Sequence, residues 1–223
     1  MTQQYKLQLK SNLYQKNGWY LPNEDDALVR EVSPEGYQIT QRNAIIDLLK
    51  QRDCRFEHCV DIGAHVGLWS RPLLDHFNRL TAFEPISILH QCYEKNVPLE
   101  RVSLHKVALG AEKKTITINV DQTDSGGTHI TPNGNTQVEM DRLDNFDLGQ
   151  VDYIKMDVEG YESEVLKGAV NLLDTQSPVI HLELKMASLS RWGLDKDAVR
   201  SWLADKGYQQ VLKIKSEFVF CKE

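Results

Sequence analysis

Residues Cys59–Gly67 read CVDIGAHVG, and the next apolar run, Leu80–Pro85, reads LTAFEP. The first stretch is a short hydrophobic strand ending at Asp61, then a loop carrying Gly63, Ala64 and Gly67 ahead of a helical segment. Small residues in such a loop let the backbone turn tightly from strand into helix and pass close to a ligand. Glu84 follows Gly63 by about twenty residues, where a second parallel strand would end beside the first. A carboxylate there can accept both hydroxyls of a ribose. Together they predict a cradle for a nucleoside-containing small molecule.

The nucleoside is narrowed by charge. A dinucleotide loop reads G-x-G-x-x-G and leaves a helix N-terminus open to a pyrophosphate. Here the pattern is D-x-G-A-x-x-G, headed by Asp61. An acid in that place repels a pyrophosphate but can orient an ammonium, directly or through water. S-adenosylmethionine carries an ammonium and a ribose but no phosphate, so it is favoured over a nicotinamide dinucleotide. His65, inside the loop, is expected to meet the cofactor through its backbone rather than its ring, and Pro85 extends the ribose-side tip.

Outward from this motif the chain alternates. A helix is expected over residues 40–50, packed on the sheet and able to cover the pocket. Strands are expected at 58–62, 79–83 and 102–107, with helices near 69–77 and 86–96. Residues 111–141 break the alternation with a β-prone run and the glycine-containing DQTDSGGTHITPNGNTQ, read as a β insertion with a mobile loop. A strand ending at Asp157, a helix over 162–173, the strand SPVIHLEL and a helix from Asp195 to Lys206 follow, with Asp195 as N-cap. Residues 209–214 and 217–221 form a closing antiparallel hairpin around Lys215 and Ser216. The expected fold is α/β, a doubly wound, mostly parallel seven-stranded sheet with a terminal hairpin. Residues 1–38 read as an N-terminal extension and 39–223 as one domain.

Open α/β sheets bind ligands beyond the carboxyl ends of their strands. The expected tips are Asp61, Glu84, Val107–Leu109, Asp157 and His181–Glu183, along one edge. Asp157-Val158-Glu159-Gly160 is the densest signal there after the glycine loop. Lys155, Asp157 and Glu159 alternate, so they can form a row. Asp157 and Glu159 can act as general base, orient an acceptor hydroxyl, or share a divalent cation. Glu159 can equally neutralise the N-terminal end of the following helix. His181 and Glu183 are further catalytic candidates, although a strand histidine is commonly a satisfied core residue. No G-x-S-x-G nucleophile motif occurs.

Composition narrows the rest. The 223 residues suffice for one sizeable core, and 41% hydrophobic with 26% charged content is ordinary for a globular protein. A net charge of −6 without a long basic run gives no support for a nucleic-acid surface. Cys54, Cys59, Cys92 and Cys221 lack metal-type spacing and fit a reducing cytoplasm. The first residues are too polar for a signal peptide, and no apolar run approaches membrane-spanning length. Oligomeric state leaves no mark on the sequence.

These motifs together resemble the FkbM-type family of S-adenosylmethionine-dependent methyltransferases. VDIGAHVGLWS is similar to its first motif, where Asn is commoner than His at position 65, and AFEP to its second. HKVALG resembles the segment passing the adenine, which implies Val107 and Ala108 as adenine neighbours. VEMDRLDNF resembles the turn ahead of the fourth core strand. VDYIKMDVEGYESEVLKGA resembles the K-x-D-x-E-G-x-E signature, and PVIHLEL the strand after it. The resemblance spans about residues 55–185 and implies a Rossmann-like class I fold and O-methylation of a sugar or other hydroxylated small molecule. Acceptor choice is expected from the 121–137 loop, the N-terminal extension and the segment Met186–Trp192. An N-methyltransferase, a dinucleotide-dependent reductase and a non-catalytic domain of this fold are the alternatives. N-P-P-Y, expected for base or amide N-methylation, is absent.

Overall fold

The computed structural model describes residues 13–23, 25–33 and 36–222; the readings of the first twelve residues and of Glu24 lie outside it. The described chain enters through a hairpin, β1 (Leu13–Lys16) and β2 (Trp19–Pro22), and a short helix, α1 (Asp26–Glu31). Asp25 caps α1, its Oδ1 accepting the Leu28 N–H at 2.9 Å, a bond type that contributes about 1 kcal/mol. Helix α2 (Ile39–Gln51) follows and buries Ile45, Ile46 and Leu49, neighbours on one helical face.

The alternating core begins with β3 (His58–Ile62), α3 (Ser70–Leu73), β4 (Arg79–Phe83), α4 (Ser87–Asn96) and β5 (Val102–His105). The insertion supplies β6 (Ala108–Leu109), β7 (Lys114–Asn119), β8 (His129–Ile130) and β9 (Thr136–Asp141), a separate sheet of order β6-β9-β7-β8. Next come β10 (Tyr153–Met156), α5 (Glu162–Lys167), α6 (Val170–Thr175), β11 (Val179–Glu183), α7 (Met186–Leu189), α8 (Lys196–Asp205), β12 (Tyr208–Ile214) and β13 (Glu217–Lys222).

The main sheet runs β12-β13-β11-β10-β3-β4-β5; β13 is antiparallel to both its neighbours, and every other pair is parallel. The expected seven strands and terminal hairpin are present, in a mixed sheet. All five residues of β3 are buried, as a central strand covered on both faces requires. Its side chains divide by the two-residue period. Val60 and Ile62 join Ile154, Met156, Ile180 and Leu182 against α5, α6 and α8. Cys59 joins Leu80, Tyr153 and Val219 against α2, α3 and α4. The chain lays β4 and β5 on one side of β3, then returns to lay β10 and β11 on the other. The switch point therefore falls between β3 and β10, and a crevice opens above their tips.

Two helices differ from expectation. The segment near 69–77 is helical only over α3, where Pro72 removes a backbone donor, and continues in turns. The 162–173 helix is divided into α5 and α6 at Gly168, because the chain there lies on the Gly110 carbonyl. A Cβ on Gly168 would stand 2.0 Å from that oxygen.

Candidate active site

A cavity of about 390 Å³ occupies the switch point. Asp61, Gly63, Ala64, His65, Glu84, Pro85, Val107, Ala108, Lys155, Asp157 and Glu159 all line it; Gly67, His181 and Glu183 do not. Gly63 has φ +76°, and a Cβ there would sit 2.0 Å from the Asp157 carbonyl oxygen, so the loop touches the β10 tip only because the residue is glycine. Gly67, at φ +90°, serves packing instead: a Cβ would meet Val97 at 2.4 Å.

Asp61 is fully buried. Its Oδ2 accepts the Ser70 hydroxyl at 2.6 Å, while Oδ1 has no partner among the described residues. An orphaned carboxylate oxygen in a cavity wall suits a ligand ammonium. Burial raises the Asp61 pKa, countered by Lys155 and the Ser70 bond. Glu84 Oε2 accepts the His65 N–H at 3.0 Å and Oε1 the Ile86 N–H at 2.9 Å. These bonds fix the carboxylate and leave each oxygen a lone pair. Burial pushes its pKa up to about 7 against those two bonds, with Asp61 adding to the rise. Phe83, Val107, Ala108, Leu109 and Ile86 give this end apolar walls suited to a base. The residues present therefore fit S-adenosylmethionine: Asp61 could meet an ammonium, Glu84 a ribose, and the apolar walls a base.

At the other end, Asp157 pairs with Lys155 and feels the charge of Lys185. Lys155 Nζ donates to its Oδ2 at 3.4 Å, and Lys155 itself is buried beneath the cavity. Burial alone would raise the Asp157 pKa. Lys155, a bond with Glu183 and the charge of Lys185 outweigh it and hold the carboxyl below its usual range. Glu183 moves the other way, raised by burial and by the neighbouring Asp157. The pair thus holds its proton on Glu183 and its charge on Asp157. Glu159 does not cap α5. It sits at φ +53° and accepts Lys185 Nζ and Ser188 Oγ, both at 2.8 Å. Glu162 takes the turn instead, its Oε1 accepting the N–H groups of Val158 and Gly160.

His181 lies inside the sheet. Its Nδ1 is 2.7 Å from the Tyr153 hydroxyl and its Nε2 2.7 Å from Glu217 Oε2, and it is fully buried. It faces α2 and α3, edge-on to Trp69, rather than the crevice. Its place in the register explains this: Asp61, Lys155 and His181 are lateral neighbours on one face, one layer below the strand tips. Glu183 reaches the tip but bonds Ser216 and Lys185.

The cover over the cavity comes from α1 and the insertion, not from α2. Ala27, Leu28 and Glu31 of α1, Tyr37, and residues 124–130 line it. His65 is not a backbone contact alone. Its N–H is taken by Glu84, and its ring Nε2 lies 2.6 Å from Ser125 Oγ, whose hydroxyl donates to the buried Asp25. Burial drives the His65 pKa down to about 4, so the ring is neutral near pH 7. Asp25 takes the one hydroxyl proton, which assigns the ring hydrogen to Nε2. Lys185, Glu31, Tyr37, Ser125 and Asp25 were not singled out as site residues in the sequence. Lys185 had a signal, an ammonium two residues past Glu183; the Asp25–Ser125 pair, a hundred positions apart, had none.

The strand order, with its single antiparallel strand next to one edge and a ligand cavity at the switch point, is that of Rossmann-like methyltransferase domains. Residues 61–209 match the model of the methyltransferase FkbM domain, and the chain belongs to that family. Among solved structures it is similar to methyltransferase FkbM from Methylobacillus flagellatus KT, with 19% identity, a TM-score of 0.48, and coverage of 74% of this chain and 43% of that one. It thus spans less than half the length of that protein. Magnesium protoporphyrin IX methyltransferase (ChlM) from Synechocystis PCC 6803, solved with bound SAM, has 12% identity and a TM-score of 0.49, covering 82% of this chain and 79% of that one. The N-methyltransferase NodS from Bradyrhizobium japonicum WM9 has 12% identity and a TM-score of 0.48, covering 82% and 93%. No curated protein sequence matches the chain.

Proposed function

We propose that the protein is an S-adenosylmethionine-dependent O-methyltransferase acting on a hydroxyl of a sugar or other small molecule. The observation that carries the reading is Asp157, a carboxylate held ionised in the wall of the same cavity that presents Asp61 and Glu84. When bound, the cofactor supplies an electrophilic methyl group, so that the acceptor oxygen's lone pair takes the carbon and the C–S electron pair stays on sulfur. The chain's part is to position and to receive a proton. Asp157 accepts the acceptor O–H, fixing the oxygen, and takes the proton as positive charge grows there. A weak base suffices, because an oxygen gaining a methyl group becomes strongly acidic as the bond forms. Orienting that hydroxyl in line is the larger contribution.

Lys155, beneath the cavity, keeps Asp157 charged, and the α1 and 124–130 cover excludes water from a methyl group that water would also accept. The test is transfer of radiolabelled methyl from S-adenosylmethionine to a panel of sugars, other alcohols and amines. Asp157→Asn should lower transfer by about 100-fold or more while S-adenosylhomocysteine still binds in calorimetry. Labelling of amines alone, or unchanged turnover in the variant, would overturn the assignment.

A further inference from the structure

Three acidic side chains at the acceptor end are grouped closely enough to hold a divalent cation, Asp157 and Glu159 as carboxylates and Glu183 once its proton is displaced. Asp157, Glu159 and Glu183 place one oxygen each within 4.8 Å of one another. The site holds a cation of its own. Lys185 Nζ is 2.8 Å from Glu159 Oε1 and 3.1 Å from Glu183 Oε2. An ammonium has three N–H bonds; one is donated to Glu159, and Glu183 is a second, ion-paired neighbour, so even with both engaged one N–H is left over. The side chain is 42% exposed and lines the cavity, so the third N–H remains for a ligand.

We propose that Lys185 is the resident cation of the acceptor site, occupying the place of a divalent metal and donating its third N–H to the acceptor oxygen. The inference rests on the methyltransferase reading and deepens it, because it selects the acceptor's chemistry. A hydroxyl offers one proton and two lone pairs. Its proton goes to Asp157, one lone pair accepts from Lys185, and the other remains free for the methyl carbon. A neutral amine nitrogen has a single lone pair. If Lys185 donates to it, none is left to react. Lys155, 3.4 Å from Asp157, and the charge of Lys185 also oppose a protonated amine beside that carboxylate. The site is therefore built for oxygen acceptors and needs no metal.

The test requires no knowledge of the acceptor. The full chain, with and without S-adenosylhomocysteine, is titrated with Mn²⁺ and followed by electron paramagnetic resonance. Wild type should leave the ion free at millimolar concentration. Lys185→Ala should bind one Mn²⁺ at least about tenfold more tightly at about pH 8, since removing the ammonium uncovers Asp157 and Glu159 and lets the metal displace the Glu183 proton. Lys185→Arg, which keeps the charge, should behave as wild type, and Glu159→Gln added to Lys185→Ala should abolish the gained site. Binding of Mn²⁺ by wild type as tight as by Lys185→Ala, or no binding by Lys185→Ala, would overturn the proposal. Circular dichroism and S-adenosylhomocysteine calorimetry check each variant, with Lys185→Gln replacing any Lys185→Ala protein that does not fold. Failure of wild type to bind S-adenosylhomocysteine would count against the methyltransferase reading, whereas the Mn²⁺ results bear on Lys185.

Discussion

At Glu84, burial bears directly on the proposed ribose contact. Its carboxyl, ordinarily near 4.5, is pushed up to about 7 because it is buried, despite two backbone N–H donors. A ribose donates hydrogen bonds, so it favours the ionised form, and below pH 7 binding must first expel a proton. S-adenosylhomocysteine is accordingly expected to bind about tenfold more tightly at pH 8 than at pH 6, with a flat profile in Glu84→Gln. Calorimetry across that range checks it, and a wild-type affinity that falls with pH would contradict it. For folding without ligand the sign is opposite. The folded protein keeps this proton longer than the unfolded chain, so Glu84's contribution falls as pH rises from 4.5 to 7. Asp61, Glu84 and Asp157 were legible at this scale because each stands at a fixed offset from a glycine turn. His181 was placed by strand position alone: HLEL sets it near a tip, and only the register puts its ring one layer below, locked between Tyr153 and Glu217.

Among elements, α1 and the insertion form a cover tied to the glycine loop by a short chain of hydrogen bonds. His65 meets Ser125, Ser125 donates to Asp25, and Asp25 caps α1. The backbone adds Ala27 N–H to the Thr123 carbonyl at 3.2 Å. Beneath lies an apolar cluster of Leu21, Leu28 and Val32 with Val66, Leu68, Ile116 and Ile118, drawn from the N-terminal segment, the glycine loop and the insertion. Ser125→Ala removes the central link and costs about 1–2 kcal/mol locally. Hydrogen exchange should therefore quicken by about tenfold or more in residues 25–31 and 123–130, with β3 and β10 unchanged. Equal acceleration in the sheet, or none in the cover, would contradict a local link. The sequence marked both segments as departures from the α/β rhythm and as places for acceptor choice. It carried no sign that they touch, because α1 is a single short helix and its partner lies a hundred residues away.

At the scale of the whole molecule, two cores sandwich the main sheet, and the third closes the crevice above its switch point. Among the described residues no helix is long and apolar enough to cross a membrane. The fold was legible because buried parallel strands write near-continuous apolar runs and a terminal hairpin writes its own turn, here at Lys215 with φ +54°. What the sequence could not supply was lateral placement: which acids share a cavity, and that Lys185 stands among three of them. All of these placements converge on one claim, that the switch-point cavity takes a nucleoside bearing an ammonium and no phosphate. Calorimetric titration of the purified chain with S-adenosylhomocysteine, with NADH as control, tests that claim most directly. Micromolar, one-to-one binding of S-adenosylhomocysteine and no heat from NADH is the expected result. Binding of NADH, or of neither by a folded chain, would contradict it.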